Sequence, residues 1–190
     1  MTKGLISAGT TIRRGFAALL GVCAVLLTAP ASAQSAGSYD TQVSLIEPLT
    51  ITKLSDMDFG DLVVTTGGTV VLTPTVTPVC TTTGGVIHTA ECQPATFGGS
   101  ASFGQRVRVR RPIGNTITLT GPGADMTVTN ITINGDPMLV PTQSNPNWER
   151  YTIASLDGTF IFRVGGTLNV NPAQTPGIYT GTFDIRLDYQ

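Results

Sequence analysis

Apolar and polar residues alternate with period two along the last part of the chain, from residue 179 to residue 189. Side chains at alternate positions of a strand point to opposite faces, so Tyr179 and the apolar residues at the odd positions after it would face a core. The pattern predicts a strand that reaches the end of the sequence. We expect such a strand either to be paired on both sides by earlier strands or to form an edge that another chain can join.

Short runs of the same kind, rich in Val, Ile and Thr, occur throughout residues 43–171 and are separated by Gly, Pro and Asn. Pro48 is expected to break the run 43–53 into two pieces, and Gly67-Gly68 to turn the chain before the run 69–73. No run shows helical periodicity. Roughly eight to ten strands at this spacing predict an all-β fold, an antiparallel β-sandwich. The remaining runs are 57–64, 102–111, 116–120, 126–134, 150–154, 159–164 and 167–171.

The first 33 residues have the layout of a secretory signal peptide, in which basic residues precede an apolar run and a small-residue cleavage site. The apolar run of about 12 residues is shorter than the roughly 20 that a spanning helix needs, so we expect cleavage and no stable membrane insertion. A flexible lead, 34–42, and one sandwich domain, 43–190, would remain. The basic residues are Lys3, Arg13 and Arg14, the apolar run is 16–27 and the cleavage site is Ala31-Ser32-Ala33.

This layout is typical of proteins exported by Gram-negative bacteria, and it predicts a location in the periplasm, at the cell surface or outside the cell. The pair Arg13-Arg14 leaves twin-arginine export open beside the general route. Removing residues 1–33 takes away three of the 11 basic residues and none of the 12 acidic ones, which leaves a net charge of −4. A general binder of nucleic acid or anionic membranes needs a basic surplus, so both classes are disfavoured.

Two cysteines, Cys80 and Cys92, remain after the predicted cleavage, and in an oxidising compartment they would most simply form a disulfide. They enclose a Thr/Gly-rich segment that is expected to be a loop and that contains His88, the only histidine in the chain. A zinc site is the alternative, but two sulfurs and one imidazole are one ligand short of a structural site.

Other short motifs lack the partners that catalysis or metal binding requires. Asp58-Phe59-Gly60 copies a kinase triplet without a nucleotide loop, and Asp56, Asp58 and Asp61 do not have the spacing of an EF-hand calcium loop. The segment 98–102 resembles only the start of a hydrolase nucleophile elbow, and its sole candidate base is His88. The sequence therefore predicts no enzyme, no cofactor and no bound metal.

Two features are candidates for ligand binding. Arg106, Arg108 and Arg110 would share one face of a strand, and Arg111 adds a fourth charge that could meet an acidic partner or polysaccharide. The alternative is an ordinary solvated strand face. The second feature is Trp148 with Tyr151 and neighbouring amides, a group that could stack on a sugar or serve only in packing.

Three segments carry a resemblance to known families. They are 49–60, which contains Asp58-Phe59-Gly60, then 162–168, and 176–183 followed by a final Tyr189. Together they resemble an uncharacterised family of exported bacterial domains over nearly all of the predicted mature chain. More distantly, the triplet and the C-terminal strand are similar to spore coat protein U-like and archaic chaperone–usher pilin subunits.

The pilin resemblance implies an immunoglobulin-like sandwich that lacks one strand, in which a chaperone and then the N-terminal extension of the next subunit fill the gap. The donor would be 38–46, and the acceptor groove would be flanked by Phe183, Ile185, Leu187 and Tyr189. The leading hypothesis is a non-enzymatic structural or adhesive surface protein that forms a homopolymer with the help of a periplasmic chaperone. The alternative is a monomeric binding module for a carbohydrate or an acidic ligand.

Overall fold

The computed structural model describes residues 43–190, so the predicted signal peptide and the lead 34–42 lie outside the described residues. The described part contains eleven strands and one short 3-10 turn, Ile113–Asn115. The strands are β1 (Thr52–Ser55), β2 (Leu62–Leu72), β3 (Cys80–His88), β4 (Ala95–Ser100), β5 (Arg106–Arg110), β6 (Ile117–Leu119), β7 (Met126–Asn134), β8 (Leu139–Asn145), β9 (Trp148–Ile153), β10 (Thr159–Val170) and β11 (Arg186–Tyr189).

The first sheet has seven strands and is organised around β10, whose inward side chains are apolar along its length. One edge of β10 pairs with β7, and β6 lies outside β7. The other edge pairs first with β4 and then with β2. β1 lies outside β4, and β3 lies outside β2. Because only one face of β10 is buried, apolar inward residues alternate with outward residues such as Arg163, Thr167 and Asn169.

The second sheet has four strands in the order β11-β5-β9-β8, and all of its pairings are antiparallel. The sequence of β5 alternates between valine and arginine, which suits a strand with one buried face. Val107 and Val109 are fully buried, while the arginines on either side of them point outward. The two sheets pack face to face, which confirms the predicted all-β antiparallel sandwich.

Aromatic side chains fill the core between the sheets at the start of β10. Phe162 is fully buried, and its ring stacks on Phe97 with 5.1 Å between centroids. Phe183 meets the edge of Phe97 at 6.4 Å. The second sheet contributes Tyr151 and Ile153, both buried. Burial of these large apolar side chains is the main favourable contribution to the stability of the fold.

The two ends of the predicted strand pattern are corrected by the structure. Of the run 43–53, only its last two residues belong to a strand, β1, because Pro48 interrupts the segment before it. The C-terminal strand is also shorter than predicted. Thr180 pairs with Thr120 of the first sheet, whereas β11 pairs with β5 of the second sheet. Residues 181–185 therefore cross between the sheets and cannot belong to a single ladder.

Two segments predicted as a turn and a loop are strands. Gly67-Gly68 lies inside β2, where the β2–β3 register shifts between Val64 and Gly68, instead of ending a strand. Most of the expected cysteine loop is β3, which pairs with β2. Gly84 adopts a φ of 67°, a conformation that glycine reaches without strain. The β2–β3 ribbon bends at these glycines, where the ladder is interrupted by the register shift and resumes on either side of it.

Residues 43–190 contain no helix with the length and apolar character needed to cross a membrane.

Candidate functional site

A partly open cavity of about 700 Å³ lies against the inner face of the first sheet, toward the Val170 end of β10. The second sheet does not cover this part of the first sheet. Instead the C-terminal segment 174–183 runs over it, and the cavity lies between that segment and the sheet. The loop 56–61, which contains Asp56, Asp58 and Asp61, lines a further side of the cavity. The apolar wall is formed by Leu62, Val64, Ile117, Met126, Val128, Leu168 and Val170.

Only one of the four predicted groove residues lines this cavity, and that residue is Phe183. Ile185, Leu187 and Tyr189 are half-buried and pack against the core of the sandwich. Leu187 and Tyr189 belong to β11 of the second sheet, and Ile185 is the last residue of the segment 181–185 that crosses between the sheets. The strand predicted for 179–189 is therefore divided between two sheets. The alternation correctly predicted which side chains face inward, but it could not show where the chain changes sheets.

β11 is the edge strand of the second sheet, and its other edge is paired with no strand among residues 43–190. The backbone amide of Gln190 donates to the carbonyl oxygen of Arg106 at 2.9 Å. Gln190, Asp188 and Arg186 therefore direct their backbone groups toward β5. Because alternate residues of a strand direct their backbone groups to opposite sides, the amides and carbonyls of Leu187 and Tyr189 point toward the unpaired edge. Such an edge is a template for pairing with a further strand.

The start of the described chain lies at the end of the sandwich opposite to the cavity. The backbone amide of Glu47 donates to the hydroxyl of Ser102 at 2.6 Å, and its carbonyl accepts from the hydroxyl of Tyr189 at 2.7 Å. Ser102 follows β4, whose last residue pairs with Thr159 at the beginning of β10. The cavity lies toward the other end of β10, near Val170.

Three apolar side chains at the start of this segment lie in solvent. Val43, Leu45 and Ile46 are 77%, 93% and 48% exposed. The cost of leaving such side chains in water is about 25 cal/mol for each Å² of apolar surface, so an extended segment of this composition gains by being buried elsewhere. The described chain thus contains an unfilled cavity with one apolar wall and an unburied apolar segment at opposite ends.

The outward side of the second sheet carries five of the eight basic residues of the described part of the chain, and we call it the arginine face. Its members are Arg106, Arg108 and Arg110 of β5, Arg186 and Asp188 of β11, Trp148, Arg150 and Thr152 of β9, and Gln143 and Asn145 of β8. The structure therefore brings the predicted arginine row and Trp148 onto one surface. Arg150 and Arg186 were missed because their neighbours on the face are distant in sequence.

Contacts across the arginine face hold the arginines in place. Asp188 accepts from Arg110 at 2.9 Å and from Arg108 at 3.4 Å. The hydrogen bond from Arg110 is the main reason that the pKa of Asp188 is lowered. The guanidinium of Arg150 lies 4.5 Å from the ring centre of Trp148, in cation–π contact, and donates to Gln143 at 2.6 Å.

Arg111 and Tyr151, also candidates for binding, do not belong to this face. Arg111 is nearly buried, forms an ion pair with Glu149 and donates to the carbonyl of Asn145. The hydroxyl of Tyr151 donates to the same carboxylate and lies 3.2 Å from the carbonyl oxygen of Ile133. Burial is the main reason that the pKa of Tyr151 is raised. Both side chains are structural, because a single step along a strand moves a side chain to the opposite face.

Cys80 and Cys92 form a disulfide, as predicted. A ring nitrogen of His88 and the two sulfurs lie within 4.8 Å of one another, and Nε2 of His88 has no hydrogen-bond partner among the described residues. The bend at Gly84 brings the two ends of β3 together, since a straight strand of nine residues would separate them by about 26 Å. The disulfide fixes this bent ribbon.

Replacing both cysteines by serine should lower the free energy of unfolding by about 3 kcal/mol, because the bridge closes a short loop in the unfolded chain. Urea denaturation of C80S/C92S and of the oxidised wild type measures the difference. Wild type treated with a dithiol reductant provides the control and should unfold at the same urea concentration as C80S/C92S. Equal stability of the oxidised protein and the variant would contradict the expectation.

The acidic and serine motifs have local structural roles. Asp56 forms an exposed ion pair with Lys53 at 2.7 Å, and Oδ1 of Asp58 accepts from the backbone amide of Gly60 at 2.8 Å. The hydroxyl of Ser102 accepts from Glu47, and that of Ser100 lies 2.9 Å from the hydroxyl of Thr50. These contacts stabilise turns and the β1–β4 edge.

The sequence comparisons give one match. No curated protein and no solved structure matches the chain significantly. One family model, described as a domain of unknown function, matches residues 49–189. This range begins just before β1 and ends with the last residue of β11, so it contains both sheets, the cavity and the arginine face. The chain belongs to the family of the domain of unknown function DUF4402.

Proposed function

We propose that this protein is a non-enzymatic, exported structural subunit that assembles into a homopolymer by strand addition, in the manner of pilin subunits. The observation that carries the proposal is the cavity beside segment 174–183, whose wall on the first sheet is apolar and which residues 43–190 leave unfilled. An engineered cavity of about 150 Å³ already accommodates benzene, so this cavity has room for several aliphatic side chains.

The proposed occupant is the segment 38–46 of a second copy. In an extended conformation Tyr39, Thr41, Val43 and Leu45 lie on one face, with successive side chains about 6.6 Å apart. The two of these that the structure describes, Val43 and Leu45, are exposed in the isolated chain. Their transfer into the cavity would bury apolar surface of both partners, which adds to the main-chain hydrogen bonds that give affinity in strand addition.

The placement of donor and acceptor favours a neighbouring molecule over the same one. The segment leaves the sandwich at the Thr159 end of β10, while the cavity lies toward the Val170 end. A donor strand can continue in its own direction into the next subunit, whereas insertion into its own subunit requires it to turn back along the sandwich. A head-to-tail contact of this kind is heterologous and generates a filament when it does not close.

The free edge of β11 and the unfilled cavity would need a temporary cover before assembly. A periplasmic chaperone that supplies a strand would meet this need, as it does for pilins. The disulfide between Cys80 and Cys92 suits the same compartment, because disulfides persist where the environment is oxidising.

Replacing Val43 and Leu45 by aspartate should abolish assembly and leave the melting temperature unchanged, because both side chains are exposed in the single chain. Light scattering of residues 34–190 after gel filtration over a range of concentrations measures assembly, and wild type should form dimers and larger species. A peptide of residues 38–46 should then bind V43D/L45D, whose cavity is intact, and raise its melting temperature.

The matched control is I113D/L156D, which places two aspartates at positions that are 98% and 84% exposed but lie outside the donor. It should assemble like wild type. A wild type that is monomeric at every concentration would overturn the proposal. The cavity would then be occupied by the chain's own segment or by a small apolar ligand. Equal loss of assembly in the control would overturn the proposal as well.

A further inference from the structure

The arginine face concentrates positive charge on a protein that is otherwise acidic. Residues 43–190 contain 8 basic and 11 acidic side chains. Five of the basic ones, and only one acidic one, Asp188, lie on this face. The rest of the described chain therefore carries 3 basic and 10 acidic residues. Such a separation of charge creates a local positive potential that attracts anions in spite of the net negative charge.

Like charges face each other directly across the strands of this sheet. Arg108 is opposite Arg150 in the β5–β9 pair, and Arg110 is opposite Arg186 in the β11–β5 pair. Directly opposed like charges destabilise a sheet. Asp188 bonds to Arg108 and Arg110, but one carboxylate cannot balance both pairs. The arrangement is unfavourable for the isolated fold and becomes favourable when further anionic groups bind.

Two donors of this cluster are left without a partner. Nε of Arg108 and Nε of Arg150 are shielded from solvent and make no hydrogen bond with residues 43–190. A shielded donor without a partner is costly. If the side chain turns outward, a carboxylate can accept from Nε and a neighbouring Nη together in a bidentate pair. The planar guanidinium makes arginine better suited than lysine to this geometry. A carboxylate ligand that drew the two arginine side chains outward would supply both missing acceptors.

The periodicity and composition of the face indicate a polymer of acidic sugars. Arg106, Arg108 and Arg110 project from one strand at intervals of about 6.8 Å, which suits a ligand with regularly repeated charges. Beside them lie Trp148 and the amide of Gln143, groups that pack on sugar rings and bond to hydroxyls.

We propose that the arginine face is a binding site for an acidic polysaccharide, and specifically for the carboxylates of uronic acid residues. The site lies on the outer surface of the second sheet and uses neither the cavity nor the donor segment, so it is independent of the proposed assembly. A subunit with this face would attach to an anionic carbohydrate matrix.

The test measures binding of immobilised polygalacturonate to residues 34–190 by biolayer interferometry, with dextran as the neutral polymer and poly-glutamate as the acidic peptide. We expect binding to polygalacturonate alone, weakened by added salt as charge pairs are screened. R108Q/R150Q should lower the affinity at least tenfold. Its melting temperature should be unchanged or higher, because the opposed charges are removed.

The matched control is K53Q/R163Q, which also removes two positive charges but places both changes on the first sheet. It should bind like wild type, as should V43D/L45D, which is defective only in assembly. Failure to bind polygalacturonate, or equal weakening in the control, would overturn the proposal. Equally tight binding of poly-glutamate would also overturn it and would indicate an acidic protein partner.

Discussion

Replacing Glu149 by leucine should destabilise the fold by about 3–5 kcal/mol, because it leaves the nearly buried charge of Arg111 without its partner. The side chains of Arg111 and Glu149 are only 7% and 14% exposed. The same change removes one of the two acceptors near the Tyr151 hydroxyl, which is buried between the sheets. Guanidinium denaturation followed by circular dichroism gives the free energy of unfolding of each variant.

The double variant R111M/E149L tests whether the cost comes from the unpaired charge. Replacing a whole buried ion pair by apolar side chains is often neutral, so we expect most of the lost stability to return. Asp56→Leu is the matched control, since it breaks an ion pair whose side chains are 59% and 80% exposed. Exposed pairs contribute less than about 1 kcal/mol. A loss below that value in E149L would refute the assignment of Glu149 as the partner that the Arg111 charge requires.

Replacing Phe162 by alanine should have an effect of similar size, a loss of about 3–5 kcal/mol, because it opens a void in a closely packed aromatic cluster. Phe162 is fully buried and stacks on Phe97, which in turn meets Phe183. Loosening this chain of contacts should also raise the hydrogen-exchange rate of amides in segment 174–183, which covers the cavity. Denaturation and hydrogen exchange measure the two effects.

The control for this substitution is Phe103→Ala, since Phe103 is 55% exposed. Substitutions at exposed positions usually change the free energy of unfolding by no more than about 0.5 kcal/mol. If F162A lost less than 1.5 kcal/mol, or if exchange in segment 174–183 stayed at the wild-type rate, the aromatic cluster would not connect the core to the cavity as described.

Sequence periodicity was sufficient for the fold class and for the inward or outward direction of many side chains. In β5 it correctly separated Val107 and Val109 from the arginines, because the face of a strand residue depends only on its position in the alternation. The pairing of Cys80 with Cys92 also followed from counting, since two cysteines have one intramolecular partner each.

Tertiary contacts decide where the strands begin and bend and where the chain passes from one sheet to the other. Gly67-Gly68 reads locally as a turn, but the surrounding residues of β2 are held in ladders by β3 and β10. The chain from Thr180 to β11 reads as one strand, but its two parts pair with different sheets. Ladder hydrogen bonds join residues that are remote in sequence, so a local pattern cannot specify them.

The same division between local pattern and tertiary structure applies to the arginine face and to the cavity. The sequence determined that Arg106, Arg108, Arg110 and Trp148 carry suitable chemistry, and the tertiary structure decided that they share a face with Arg150 while Arg111 and Tyr151 are structural. The cavity could not be found in the sequence, because its walls come from four strands, the loop 56–61 and segment 174–183, which contact one another only in the folded chain. Side-chain direction is a local property of a strand, whereas a surface or a cavity exists only once distant strands are brought together.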